Sequence, residues 1–335
     1  MINRWIVAVV SVLAIQSCKQ DRFDSVKPPK GIDPVPIIRF EKDLFSIAPE
    51  SIESGYSELA KKYPNFSKLF TEGIIRIGKS DSPDFYNYLK MFITDTMVQN
   101  ANRMVSKTFP TNASFEDEVR GAFARYATFF PQKPIPGVYT FISGYNLSLA
   151  VDDSLVAVGL DRYLGKNTTQ YSLLGIPLYQ QYKMQPAKIP SDIMRAWLYN
   201  VFPFHDSLNN LLSNMIYEGQ IMYLTKRMLP RQPDSLIFGF TPQQYSWCLK
   251  NEKAMWTHLI ENKLLFTTNT VDINKMVNDA PFTSGFPQES PGRAVVWIGY
   301  RIVERFMERN ENIDLSGLMN INNYQEILNK SRYKP

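Results

Sequence analysis

Glu218 is the side chain from which chemistry would start. It stands in Glu218-Gly219-Gln220-Ile221-Met222-Tyr223, within an apolar run over residues 211–230 that reads as one long amphipathic helix. At about 100° per residue, Leu208, Leu211, Met215, Gly219 and Met222 share roughly a third of the helix circumference, with Glu218 about 60° from Met215. That places its carboxyl group at a core boundary. A carboxylate there is paired, protonated or ligated, because an isolated buried charge costs several kcal/mol. Metal hydrolysis would require an H-E-x-x-H helix supplying two ligands and a base. The chain holds only His205 and His258, far apart in sequence, so neither forms a two-histidine helix face. No G-x-S-x-G elbow, phosphate-cradling loop or dinucleotide fingerprint occurs. Cys248, in Ser246-Trp247-Cys248-Leu249, reads as a small buried apolar residue rather than a nucleophile. These residues predict no catalytic residue, no metal site and no cofactor.

Two arginines are candidate partners for Glu218. Arg293 closes Glu289-Ser290-Pro291-Gly292-Arg293. Ser290 as cap and Pro291 at the first helical position predict a helix start, with Arg293 in the first turn, where a cation opposes the helix dipole and calls for a carboxylate. Arg195 lies in an apolar helix begun by Pro190-Ser191. The expectation is that Glu218 faces the N-terminal part of the 191–201 helix or a cation such as Arg195 or Arg293, with no metal between. Two alternatives stay open: an unconventional hydrolase that uses Glu218 with another carboxylate, and a peptide- or glycan-binding protein with a groove lined by Tyr and Trp.

The elements that must position these groups are mostly helical. Phe85, Tyr86, Tyr88, Leu89 and Phe92 share one periodic face; Phe115, Val119, Phe123 and Tyr126 share another, behind a cap at Asn112-Ala113-Ser114. All are expected in the core. The pattern then shifts to strands over 138–142 and 154–160, with Asp152-Asp153 at a turn. A short strand is also expected near residue 37, and a further helix from Pro242 through residues 243–265. Gly299 in the last long helix permits close approach of another backbone. The fold class is α+β, mostly helical, with a small sheet over about 135–160 packed against helices.

At 44% hydrophobic residues, the 335-residue chain can bury a large core. Its Lys+Arg count of 37 exceeds Asp+Glu at 32. The basic residues are dispersed, which argues against nucleic acid as a partner. Residues 1–17 read as an export signal, with Arg4 before an apolar stretch too short to span a membrane. Ile15-Gln16-Ser17-Cys18 resembles the lipobox of bacterial lipoproteins, in which the cysteine is acylated, palmitate among the chains, and becomes the first mature residue. The alternative is a cleaved secretory peptide ending near a cysteine. Three acyl chains would hold the protein durably on a bilayer. Residues 18–36 read as lipidated Cys18 and a flexible tether with four prolines, and 37–335 as a single domain.

These pieces resemble the gliding-motility lipoprotein GldB family of the Bacteroidetes. The resemblance rests on Leu160-Asp161-Arg162-Tyr163-Leu164-Gly165-Lys166, Gly175-Ile176-Pro177, Met215-Ile216-Tyr217-Glu218-Gly219, Ala280-Pro281-Phe282, Glu289-Ser290-Pro291-Gly292-Arg293 and the terminal Ser331-Arg332-Tyr333-Lys334-Pro335. It implies a lipid-anchored, non-catalytic component of the cell envelope, its domain in the periplasm. Protein partners would come from the gliding or type IX secretion machinery. A more distant resemblance is to gluzincin metallopeptidases, through Glu218-Gly219-x-x-x-Tyr223 and Gly299-Tyr300-x-Ile302. It implies a degenerate zincin-like domain, a pseudoenzyme in which the 193–201 helix replaces the two-histidine helix.

Overall fold

The computed structural model describes residues 21–28, 35–110, 114–205 and 209–335. The export signal, Cys18 and the Asn112-Ala113 cap lie outside the described residues. The chain opens with β1 (Ile37–Arg39) and α1 (Phe40–Phe45). Five helices follow: α2 (Ile52–Lys62), α3 (Pro64–Lys68), α4 (Phe85–Thr94), α5 (Thr96–Thr108) and α6 (Ser114–Phe129). Next come β2 (Gly137–Phe141), β3 (Leu149–Val151) and β4 (Leu155–Gly159), then α7 (Thr169–Leu173), α8 (Leu178–Gln181) and α9 (Ile189–Val201). The C-terminal half is helical: α10 (Leu211–Met228), α11 (Asp234–Phe238), α12 (Pro242–Glu261), α13 (Thr270–Val277), α14 (Ala294–Arg309), α15 (Leu315–Met319) and α16 (Tyr324–Ser331). The molecule is a mostly helical α+β fold.

The sheet has the order β1-β2-β4-β3, with β1, β2 and β4 parallel and β3 antiparallel on the edge. It divides two cores. Period-2 alternation sends Phe141, Leu155 and Ala157 into the smaller core with Phe40, Tyr56, Phe66 and Phe85. Val138, Val156 and Val158 point the other way, into the larger core that surrounds α10 and α14. β4 is buried along its whole length, which explains its unbroken apolar run. The Asp152 carboxylate accepts from the Ser154 and Leu155 amides and closes the turn into β4.

Four expectations are corrected. α10 is not amphipathic: only Asn214, Glu218 and Lys226 escape full burial, because α6, α9, α14 and α16 pack around it. Tyr88 is exposed, while Phe85 and Leu89 on the same helix are buried. α14 begins at Ala294, not at Pro291. Arg293 occupies its N-cap in the left-handed region, φ 66°, and Thr283 supplies the cap from another segment. The Thr283 Oγ1 accepts from the Ala294 amide at 2.7 Å and donates to the Pro291 carbonyl at 2.7 Å. Finally, residues 21–28 are no free tether: Phe23 is buried against Phe129 in the larger core.

α10 and α14 cross with almost no space between their backbones. A Cβ on Gly219 would lie 2.3 Å from the Gly299 carbonyl carbon, and one on Gly299 would lie 1.7 Å from the Met215 oxygen. No relaxation of side chains can clear that. Gly299→Ala is expected to destabilise the fold by at least the ~3 kcal/mol at the upper end of overpacking costs. In α6, a Cβ on Gly121 would meet nothing within 4 Å, so Gly121→Ala should stabilise by about 0.5–1 kcal/mol. Chemical denaturation of the two variants checks the contrast.

Asp161 follows β4 and is fully buried. Its Oδ2 accepts from the Ser143 and Tyr145 amides, while Oδ1 has no hydrogen-bond partner among the described residues. Burial raises its pKa to about 6, against the pull of those two amides and of Arg162. The unfolded chain loses this proton near the ordinary value of 3.8, so the folded state is favoured below that value and loses the advantage as pH rises through 6. Asp161→Asn should therefore flatten the stability profile between pH 4 and 6, read from melting curves across that range.

Candidate functional site

Glu218 is one of the few incompletely buried residues of α10 and immediately precedes Gly219 at the glycine crossing. Because that crossing lets the start of α14 approach, Arg293 reaches the carboxylate: its Nη2 donates to Glu218 Oε2 at 2.5 Å. The Tyr199 hydroxyl, from α9, donates to the same oxygen at 2.6 Å. The Arg293 Nε donates to the Val277 carbonyl at the end of α13, and Nη1 lies 3.8 Å from Asp279. Its left-handed backbone turns the guanidinium back from the helix it precedes and towards α10. A non-glycine residue held there stores on the order of 1 kcal/mol, offset here by the ion pair and the Thr283 cap.

Three further ion pairs, on two carboxylates, lie beside this one. The Lys183 Nζ meets Asp279 at 2.6 Å. On the first turn of α9, Asp192 accepts from Lys188 at 2.6 Å, Arg195 at 3.3 Å and the Tyr163 hydroxyl at 3.0 Å. Arg195 therefore serves Asp192 and not Glu218. Burial would raise Asp279 and Asp192, but Lys183 and Arg293 hold Asp279 well below the carboxylate range, and Lys188 and Arg195 lower Asp192. Burial pushes Lys188 down to about 8, with Asp192 opposing it. Burial and the adjacent Glu218 charge both push Tyr199 up, so it stays a neutral donor. The Arg293 guanidinium keeps its charge: burial disfavours it, but Glu218, Tyr199 and Asp279 outweigh burial and raise its pKa.

Zinc does not fit this donor set. Glu218 Oε2 already meets a guanidinium and a hydroxyl, and a dication at that oxygen would have to displace Arg293. Among the described residues no group of three or more His, Cys, Asp and Glu side chains is placed to hold a metal ion. His205 is exposed beyond α9, and His258 sits on α12 beside Asn262 and Phe286. Cys248 is buried, which pushes its thiol pKa up, with Glu252 adding to the effect.

Residues 25–335 match the family model for gliding motility protein GldB. The chain belongs to the GldB family. No curated protein and no solved structure matches it. Membership implies a role in gliding motility, and the blocks around Glu218 and Arg293 that carry the resemblance are the ones the fold brings into contact. Sequence reading missed Tyr199, Asp279 and Lys183. Tyr199 was findable, since it lies one helical turn after Arg195. Asp279 and Lys183 sit outside regular elements, where spacing carries no facing information.

The pair has a measurable energy. Glu218→Gln should lower stability by about 2 kcal/mol, because it leaves a largely buried guanidinium with a weaker acceptor. A double-mutant cycle with Arg293→Gln should show positive coupling between the two positions of about 1 kcal/mol or more, read by denaturant titration.

Proposed function

We propose that this GldB-family protein is a non-catalytic, lipid-anchored envelope component that supports gliding and the associated type IX secretion machinery. The observation that carries the reading is the state of Glu218. A carboxylate whose oxygen takes both an Arg293 donor and a Tyr199 donor is a structural anion, joining α9, α10 and α14. That oxygen is committed to these two donors, which supports a structural role over that of a base or a metal ligand. Anchoring rests on the Cys18 lipobox, and periplasmic placement on the export signal before it. No helix among the described residues is long and apolar enough to cross a membrane.

A peptide-binding reading is favoured by one feature. An open depression of ≈ 550 Å³ adjoins the ion-pair cluster through Asp279 and is lined by Val271, Asn274, Lys275, Asn278 and Phe282. Its walls carry amide and apolar groups suited to an extended backbone, although they lack the Tyr and Trp expected of a glycan groove.

The test separates structure from chemistry. Cells carrying Glu218→Gln should keep gliding at a temperature where the variant remains folded, and Cys18→Ser should release the protein from membranes and stop gliding. Stoichiometric zinc together with chelator-sensitive peptide cleavage by the purified mature protein would overturn the proposal.

A further inference from the structure

The segment just after Cys18 is clamped to the domain by contacts at every residue from 21 to 24. Asp21 accepts from the Tyr223 hydroxyl at 2.5 Å and pairs with Arg227 at 3.1 Å. The same Arg227 pairs with Asp24 at 2.9 Å. Arg22 donates Nη2 to the Ile313 carbonyl at 2.5 Å and Nη1 to the Glu311 carbonyl, just beyond the C-terminal end of α14. Phe23 is buried edge-on against Phe129, with ring centroids 5.8 Å apart. From α6, the buried Arg125 donates to the Phe23 carbonyl at 2.6 Å and to the Val26 carbonyl. Two arginines inside the domain, Arg125 and Arg227, thus find their partners on this segment.

Arg227 is nearly fully buried, and the ion pairs within the described residues that balance it are those to Asp21 and Asp24. If the segment left, it would strand a buried guanidinium, which costs several kcal/mol. The clamp is therefore part of the fold. Three peptide units separate Cys18 from Asp21, and they span at most about 11 Å.

We infer that residues 21–26 hold the domain in one orientation on the lipid bilayer, with the C-terminal end of α14 and residues 310–314 at the headgroups. The inference rests on the lipid at Cys18 proposed above. The surface there is suited to headgroups and not to acyl chains: Glu308, Arg309, Glu311 and Asn312 are exposed, polar and of both charges. α14 has 16 residues and is about 24 Å long, and Arg293 stands at its other end. The Glu218–Arg293 cluster and its adjoining depression therefore lie at the end of α14 opposite the one placed at the headgroups. An envelope partner would meet them on the side facing away from the anchor.

The experiment uses the full mature lipidated protein in vesicles of phosphatidylethanolamine and phosphatidylglycerol that contain a headgroup-labelled quencher lipid. A fluorophore is placed on Asn312→Cys or on Ser284→Cys, both exposed positions, while Cys248 is buried and does not react. Quenching several-fold stronger at 312 than at 284 is expected. In the background Arg22→Ala with Phe23→Ala, whose changes lie on the clamp itself, the ratio should fall to near one while vesicle binding is retained. A parallel arm with Arg22→Ala alone should lower the ratio partway. Equal quenching at the two sites in the parent protein, or an unchanged ratio in the double variant, overturns the clamp and leaves the lipid anchor standing. Failure of the parent protein to float with vesicles overturns the anchor, and the orientation with it.

Discussion

The crossing of α10 and α14 at Gly219 and Gly299 is the contact on which the rest of the structure depends. Two helices whose backbones touch cannot shift relative to one another without a clash, so the crossing fixes where every side chain along them points. It also decides what α10 is. With α14 pressed against one side and α6, α9 and α16 around the others, a helix carrying a glutamate, a glutamine and an arginine becomes the axis of the larger core. Each of its buried polar groups then requires a partner, and the fold supplies one: Gln220 donates to the Leu318 carbonyl, Glu218 takes Arg293 and Tyr199, and Arg227 takes the N-terminal aspartates.

The polar groups near Glu218 follow from the same geometry. Lys183, Lys188, Arg195 and Arg293 meet Glu218, Asp192 and Asp279 in a layer where α9, α10 and the start of α14 converge. Pairing lowers the cost of burying each charge but does not make the layer more stable than an apolar one of equal volume. What it does is define a single register for three helices, because each carboxylate has a particular cation at hydrogen-bond distance. The resulting arrangement uses Glu218 of α10 as a strut, and the left-handed turn at Arg293 is where the chain bends to serve it.

The N-terminal clamp shows the same economy on the other side of the molecule. Arg227 lies on α10 two turns beyond Gly219, buried over the Tyr223 ring, and its charge is balanced from outside the helix bundle by Asp21 and Asp24. The axis helix thus pairs at Glu218 with Arg293 beside the depression and at Arg227 with the N-terminal segment. The sheet stands apart from both; it separates the larger core from the aromatic one formed by α1 to α4 and serves as a partition.

Much was legible from residue order alone. Periodicity located α9, α10 and α12, the β-branched runs located β2 and β4, Gly299 announced a close backbone approach, and Glu218 in an apolar helix required a partner. These follow from local spacing, which is a property of the chain. Other features depended on segments far apart in sequence meeting in space. Spacing offered Arg195 and Arg293 equally; the αL turn and the glycine crossing chose Arg293, and Asp192 took Arg195. Ser290 and Pro291 have the composition of a helix start, but Thr283 caps the helix three residues later because it approaches from another loop. Residues 21–28 are polar enough to read as tether, and they dock because buried arginines await them. Local pattern sets which groups need partners, and tertiary packing decides which partner each one meets.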